Sequence, residues 1–302
     1  MSVPSGDQVE IAFGKQSAVV VEVGAGLRSY SYAGHELLDG YGAGEMCASG
    51  RGQILAPWPN RIEDGSYEFE GRLHQLPLDE LDHRNAIHGL VRWVPWRATE
   101  RYPDRVVMEL TLHPQPGYPF QLLLRVEYQL AAAGLSVHLT ATNIGEGVCP
   151  YGAGSHPYLR LDDGLVNRLE LQAPAKTVLN SNDRGIPVGA ASVEGTEYDF
   201  RSPRPIGQTV LDHAFTDLER DADGLSRVRL NDPDSGRGVA LWVDRNYRYI
   251  MLFTGDPLPD INRRSLAIEP MTCPPNAFRS GESLVILEAR ESFTSTWGVE
   301  PI

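Results

Sequence analysis

Five short segments of this 302-residue chain place proton-carrying and hydrogen-bonding side chains beside turn-forming residues. They are Ala56-Pro57-Trp58-Pro59-Asn60-Arg61-Ile62, Asn85-Ala86-Ile87-His88-Gly89-Leu90-Val91-Arg92-Trp93, Gly152-Ala153-Gly154-Ser155-His156-Pro157-Tyr158, Ala267-Ile268-Glu269-Pro270-Met271-Thr272 and, more weakly, Leu211-Asp212-His213-Ala214-Phe215. A glutamate and a histidine can act as base and acid toward a substrate. Arginine, asparagine and aspartate supply donors and acceptors for hydroxyl groups. Two carboxylates such as Glu269 and Asp212 are also the pair that hydrolysis of a glycoside would need. Each segment alone has a structural explanation. A histidine beside Gly or Pro is a satisfied turn residue, Asn-Arg a loop device, and a Glu after an apolar triplet the end of a strand.

Several chemistries lack their motifs. There is no G-x-x-x-x-G-K-[ST], no H-E-x-x-H and no G-x-S-x-G. The run Gly152-Ala153-Gly154 has no third glycine or following helix, so it reads as a close backbone approach at a strand end. Cys47, Cys149 and Cys273 are an odd set without C-x-x-C spacing, which argues against a disulfide framework or thiolate metal site and fits a reducing cytoplasm.

A net charge of −13 opposes nucleic acid and anionic membrane surfaces as partners. Residues 1–15 lack a basic start and an apolar run, so a signal peptide or anchor is not expected. No stretch approaches the roughly 20 apolar residues of a membrane span. A neutral small molecule suits this charge balance, whereas an anionic one would need a local arginine cluster.

The elements that must hold these residues read as strands. Apolar residues recur at every second position in Val106, Met108, Leu110, Leu112; in Leu124, Val126, Tyr128, Leu130; and in Leu135, Val137, Leu139, Ala141. Further strands are expected over 18–23, 27–32, 67–76, 239–243, 247–253, 266–269, 284–287 and 293–299, with turns at Ala133-Gly134, Asp234 to Gly238 and Ser280-Gly281. No segment shows three turns of amphipathic helix. The stretch 177–207, rich in Gly, Pro, Asn and Asp, reads as a long surface loop. The expectation is an all-β sandwich or barrel forming one domain over residues 1–302.

In combination and in this order, the segments resemble the aldose 1-epimerase (galactose mutarotase) family, over a stretch from Gly52 to Phe278. The residues that follow Glu269 and His88 look most like a bacterial mutarotase-like branch. The resemblance implies a large antiparallel β-sandwich, sometimes called a supersandwich, with a sugar cleft on one sheet face. It implies Glu269 as catalytic base and His156 as catalytic acid. His88 and Arg61 would hold the sugar hydroxyls and ring oxygen, Asp212 a ring hydroxyl, and Asn60 would support them. No cofactor or metal is implied, the partner is a small-molecule sugar, and a monomer is expected.

That chemistry opens and recloses a hemiacetal, which needs proton transfer and no electron transfer. An imidazole with a reference pKa of about 6.5 and a carboxylate suffice. The apolar face of a sugar ring usually packs on an aromatic plane. Trp58, Trp93, Tyr158, Trp242 and Phe278 are candidates, Tyr158 and Phe278 foremost because they neighbour the two catalytic positions. Arg84 and Arg92, flanking His88, leave a hexose-6-phosphate mutarotase as an alternative, and a non-catalytic sugar-binding protein is another. His35, His74, His83, His113, His138 and His213 have no expected role, His213 being the likeliest exception.

Overall fold

A computed structural model describes residues 3–161, 163–256, 258–259 and 262–302. Strands dominate it, and among the described residues the α-helix amounts to one turn, Ala277–Ser280. The expected antiparallel sandwich is present. One sheet has nine strands in the order Arg97–Arg101, Arg105–Leu112, Leu122–Ala131, Gly134–Asn143, Ser292–Pro301, Gly238–Val243, Ser226–Asn231, Glu170–Gln172, Arg204–Pro205. The alternation foreseen in Leu122–Ala131 is complete, with Leu122, Leu124, Val126, Tyr128 and Leu130 all buried and their neighbours half-exposed. One face of this sheet meets the core and the other meets water.

The second sheet carries the site. Its order is Pro187–Ser192, Ala175–Ser181, Asp212–Leu218, Tyr249–Phe253, Leu266–Met271, Gly154–Ser155, Ile54–Leu55, with Tyr158–Leu159 also paired to Leu266–Met271. Ile250, Leu252, Leu266 and Ile268 share a buried cluster with Val126, Tyr128 and Val137 of the nine-stranded sheet. Side chains of opposite parity, including Met251 and Met271, form a separate small cluster. Leu266–Met271 is buried at all six positions for this reason. An N-terminal sheet of four strands lies between Gln8 and Glu36. Cys47, Cys149 and Cys273 are free and buried, and no helix among the described residues is long and apolar enough to cross a membrane.

Two sequence expectations are corrected. The stretch 177–207 is not a continuous loop. Ala175–Ser181 and Pro187–Ser192 form a hairpin at the sheet edge, and Arg204–Pro205 pairs with the other sheet. Pro187–Ser192 is exposed along most of its length, so it needs no apolar pattern, and Pro is tolerated at an edge. The expected strand 67–76 is likewise two strands, Ser66–Phe69 and Arg72–Gln75, joined at Glu70-Gly71. Both of those residues have positive φ, 49° and 71°, which is the backbone of a tight type I′ turn.

Candidate active site

Strand register brings the two expected catalytic residues together. Gly154 pairs with Met271 and Tyr158 with Ala267. Counting two residues inward from each pair sets His156 directly across from Glu269, and opposed residues of antiparallel strands project to the same face. His156 Nε2 lies 3.4 Å from Glu269 Oε1. Both side chains are buried, and neither Glu269 Oε2 nor His156 Nδ1 has a hydrogen-bond partner among the described residues.

A second opposed pair stands beside the first. Arg61–Glu63 pairs with Asn85–Ile87 in a register that sets Asn60 across from His88. The His88 N–H donates to the Asn60 carbonyl at 2.8 Å, and the Asn60 N–H donates to His88 Nδ1 at 3.2 Å. Both residues take left-handed backbone, at φ 54° and 62°, which turns the chain at the cleft. With Nδ1 accepting, a neutral His88 carries its hydrogen on Nε2 and presents a donor. The His88 and His156 rings meet edge to face, 5.3 Å between centroids.

All seven expected site residues line one cleft of about 400 Å³: Asn60, Arg61, His88, His156, Tyr158, Asp212 and Glu269. Asp212 is exposed, on the strand beside Tyr249–Phe253 and paired with Phe253. Arg61 is clamped by Glu80, its Nε 2.9 Å and an Nη 2.8 Å from the carboxylate. The Glu80 carboxylate is in turn held by Asn85 Nδ2 at 2.7 Å. Asp79, Glu80, Arg92 and Trp93 also line the cleft. Asp79 and Glu80 carried no recognisable signal in the sequence, because their roles depend on long-range partners.

The aromatic candidates separate by exposure. Trp58 and Phe278 are buried and pack on one another, 5.6 Å between centroids. Trp242 belongs to the other sheet and does not line the cleft. Tyr158 reaches the cleft wall but is only 2% exposed, too little surface for a sugar face to stack on. Trp93 lines the cleft and is 50% exposed. The aromatic emphasis therefore moves from Tyr158 and Phe278 to Trp93. Of the expected arginines, Arg92 lines the cleft and pairs with Asp79 at 3.1 Å, whereas Arg84 is exposed and faces Asp64. His213 sits against the Tyr198 ring at 4.5 Å and does not line the cleft.

Burial sets the protonation of the pair. It pushes the Glu269 carboxyl well above the usual carboxylate range, with the Asp212 charge adding to it and Arg61 opposing it. It pushes the His156 imidazole down to about 3, helped by the nearby Arg92 and Arg51 charges. His88 is lowered in the same way, by burial first and then by Arg92 and His156. The two shifts run in opposite directions, and both favour a shared proton on the Glu269 carboxyl over one on the His156 imidazole. Moving that proton across 3.4 Å gives the carboxylate and imidazolium needed for paired acid and base catalysis.

His88, His156 and Glu269 each offer an atom, all within 4.8 Å of one another, as a metal site would require. The donor set does not fit an ion. The hydrogen on His88 Nε2, fixed by the bond to Nδ1, points a donor inward and leaves two ligands where catalytic zinc sites use three.

The sequence profile of the family Aldose 1-epimerase matches residues 7–299. The chain belongs to the aldose 1-epimerase family. It is 36% identical over 286 residues to the uncharacterized protein YihR of Escherichia coli (strain K12), covering 94% of this chain and 90% of that protein. It is 29% identical over 170 residues to human galactose mutarotase, covering 53% and 48% respectively. The fold matches the GalM/aldose epimerase homologue from C. elegans with a TM-score of 0.87 at 19% identity, over 98% of both chains. Members of the family thus share the galactose mutarotase-like sandwich found in this chain.

Proposed function

We propose that this protein is an aldose 1-epimerase that interconverts the α and β anomers of a free aldose, with Glu269 and His156 as the proton-transfer pair. The observation that carries the reading is their opposition at 3.4 Å, with Glu269 Oε2 and His156 Nδ1 unpartnered beside the cleft. A base takes the proton of the C1 hydroxyl while an acid protonates the ring oxygen, and the C1 to ring-oxygen bond breaks to leave an open-chain aldehyde. Rotation about C1–C2 presents the other carbonyl face. Closure reverses both transfers, so the proton shared by the pair is returned at the end of the cycle.

Around that pair, His88 Nε2–H donates to a sugar oxygen, Arg61 and Asn60 hold hydroxyls, and Asp212 accepts one at the rim. Trp93 covers the apolar ring face. On this reading the protein works as a cytoplasmic monomer and needs no cofactor, nucleic acid or membrane partner.

One observation favours a second reading, an aldose carrying an anionic group such as a phosphate. Arg92 stands in the cleft wall with its Nε buried and unpartnered among the described residues. Its charge is balanced by Asp79, which weighs for the neutral sugar.

A panel of free aldoses and sugar phosphates, followed for anomer exchange by NMR, tests both readings. Acceleration with a free aldose supports the first, and acceleration confined to sugar phosphates with steep salt dependence supports the second. Binding without acceleration would leave a sugar-binding protein, and product release from an aryl glycoside would point to hydrolysis.

A further inference from the structure

We propose that Tyr158 is a positioning residue, holding the His156 imidazole at its working angle by ring stacking and making no contact with the sugar. The proposal rests on the mutarotase reading for its kinetic consequence and on geometry for the rest. A histidine that transfers protons is ordinarily oriented through a hydrogen bond on its second ring nitrogen. His156 Nδ1 has no such partner among the described residues, so apart from the Nε2 contact with Glu269 the ring is fixed by packing.

The packing is close on several sides. The Tyr158 ring lies parallel to the imidazole, at 10° and 4.9 Å between centroids. Gly50, at φ +70°, passes so near that a Cβ there would stand 2.9 Å from His156 Cδ2. His88 meets the ring edge-on. Tyr158 is itself fixed. Its hydroxyl donates to the Ser49 carbonyl at 3.0 Å, the Arg51 guanidinium lies 5.4 Å from its ring centroid, and Arg51 is tied to buried Asp39. The segment 49–51 therefore anchors Tyr158 and borders His156, which joins the stack into one rigid unit.

The test compares Tyr158→Phe, which keeps the ring, with Tyr158→Leu, which removes it. For anomer exchange, Tyr158→Leu should lose about 10- to 100-fold in kcat with KM nearly unchanged, while Tyr158→Phe stays within about threefold of wild type. The ring nitrogens of His156, read by 1H–15N NMR, should give one sharp set of signals in wild type and Tyr158→Phe, and shifted or broadened signals in Tyr158→Leu. Tyr158→Met, which keeps bulk but removes the aromatic plane, should give the same pattern as Tyr158→Leu and carries the test if Tyr158→Leu does not fold. A rise in KM with kcat unchanged would place Tyr158 on the sugar and overturn the proposal. So would unaltered His156 signals in Tyr158→Leu. If the wild type exchanges no sugar, the functional reading fails alone, because the NMR comparison still reports on the stack.

Discussion

Replacing Glu269 by Gln isolates the pH response of His156. The imidazole, at 6.5 when unfolded, is pushed by burial to about 3 in the fold. Its neutral form is therefore favoured in the native state, and the resulting stability is present above 6.5 and lost as pH falls toward 3. Glu269 has the opposite sign. Its folded value lies above 4.5, so the native state binds the extra proton and gains stability as pH falls toward 4.5. In the wild type the two slopes offset one another in the window they share. In Glu269→Gln only the histidine slope remains, about 1.4 kcal/mol per pH unit. Between about pH 7 and pH 5 the Glu269→Gln variant should lose roughly 2 kcal/mol more unfolding free energy than a Glu269→Gln/His156→Gln double variant, in which the histidine term is absent. Guanidinium unfolding of both proteins at the two pH values measures this, and other carboxylates cancel in the difference. Parallel pH dependences would refute the claim that burial holds His156 neutral.

Other consequences follow from the cleft wall. Trp93→Ala should raise KM for the aldose by roughly 3- to 10-fold, as loss of an aromatic contact worth about 0.5–1.5 kcal/mol implies, with kcat little changed in the exchange assay. Gly185 has φ +71°, and a Cβ there would lie 2.5 Å from Arg61 Nη1. Gly185→Ala should therefore cost about 1–2 kcal/mol in denaturant unfolding and weaken sugar binding by displacing Arg61 from Glu80. Glu80→Gln should weaken sugar binding too without the backbone cost, and equal affinity to wild type would show that the clamp is not needed.

What could be read from the sequence depended on whether a strand has a wet face. Leu122–Ala131 and Gly134–Asn143 advertised themselves because every second residue is buried and the rest are not. Leu266–Met271 is buried on both faces, one toward the core and one toward the cleft, so periodicity could not say which side Glu269 faces. The edge strand Pro187–Ser192 was missed for the reverse reason, being exposed almost throughout. Residue types and their order named His156, Glu269, His88, Arg61, Asn60 and Asp212, but nothing in their spacing revealed that His156 opposes Glu269 and Asn60 opposes His88. Those facts live in register, which is set by pairings between segments more than 100 residues apart for the first pair and, for the second, by strands that pair across the intervening Ser66–Gln75 hairpin, with Asn60 and His88 28 residues apart. Tyr158 was misjudged as a platform because a sequence shows an aromatic beside a histidine and not which surface its ring covers.

The central claim is most directly tested by the rate of anomer exchange of a free aldose at neutral pH, measured by saturation-transfer NMR or polarimetry. Wild type, Glu269→Gln and His156→Gln would be compared. The wild type should accelerate exchange, and each variant should lose about 10²–10⁴-fold in rate while still binding the sugar. A wild type that binds every aldose tested without accelerating exchange, or a Glu269→Gln variant as fast as wild type, would contradict it.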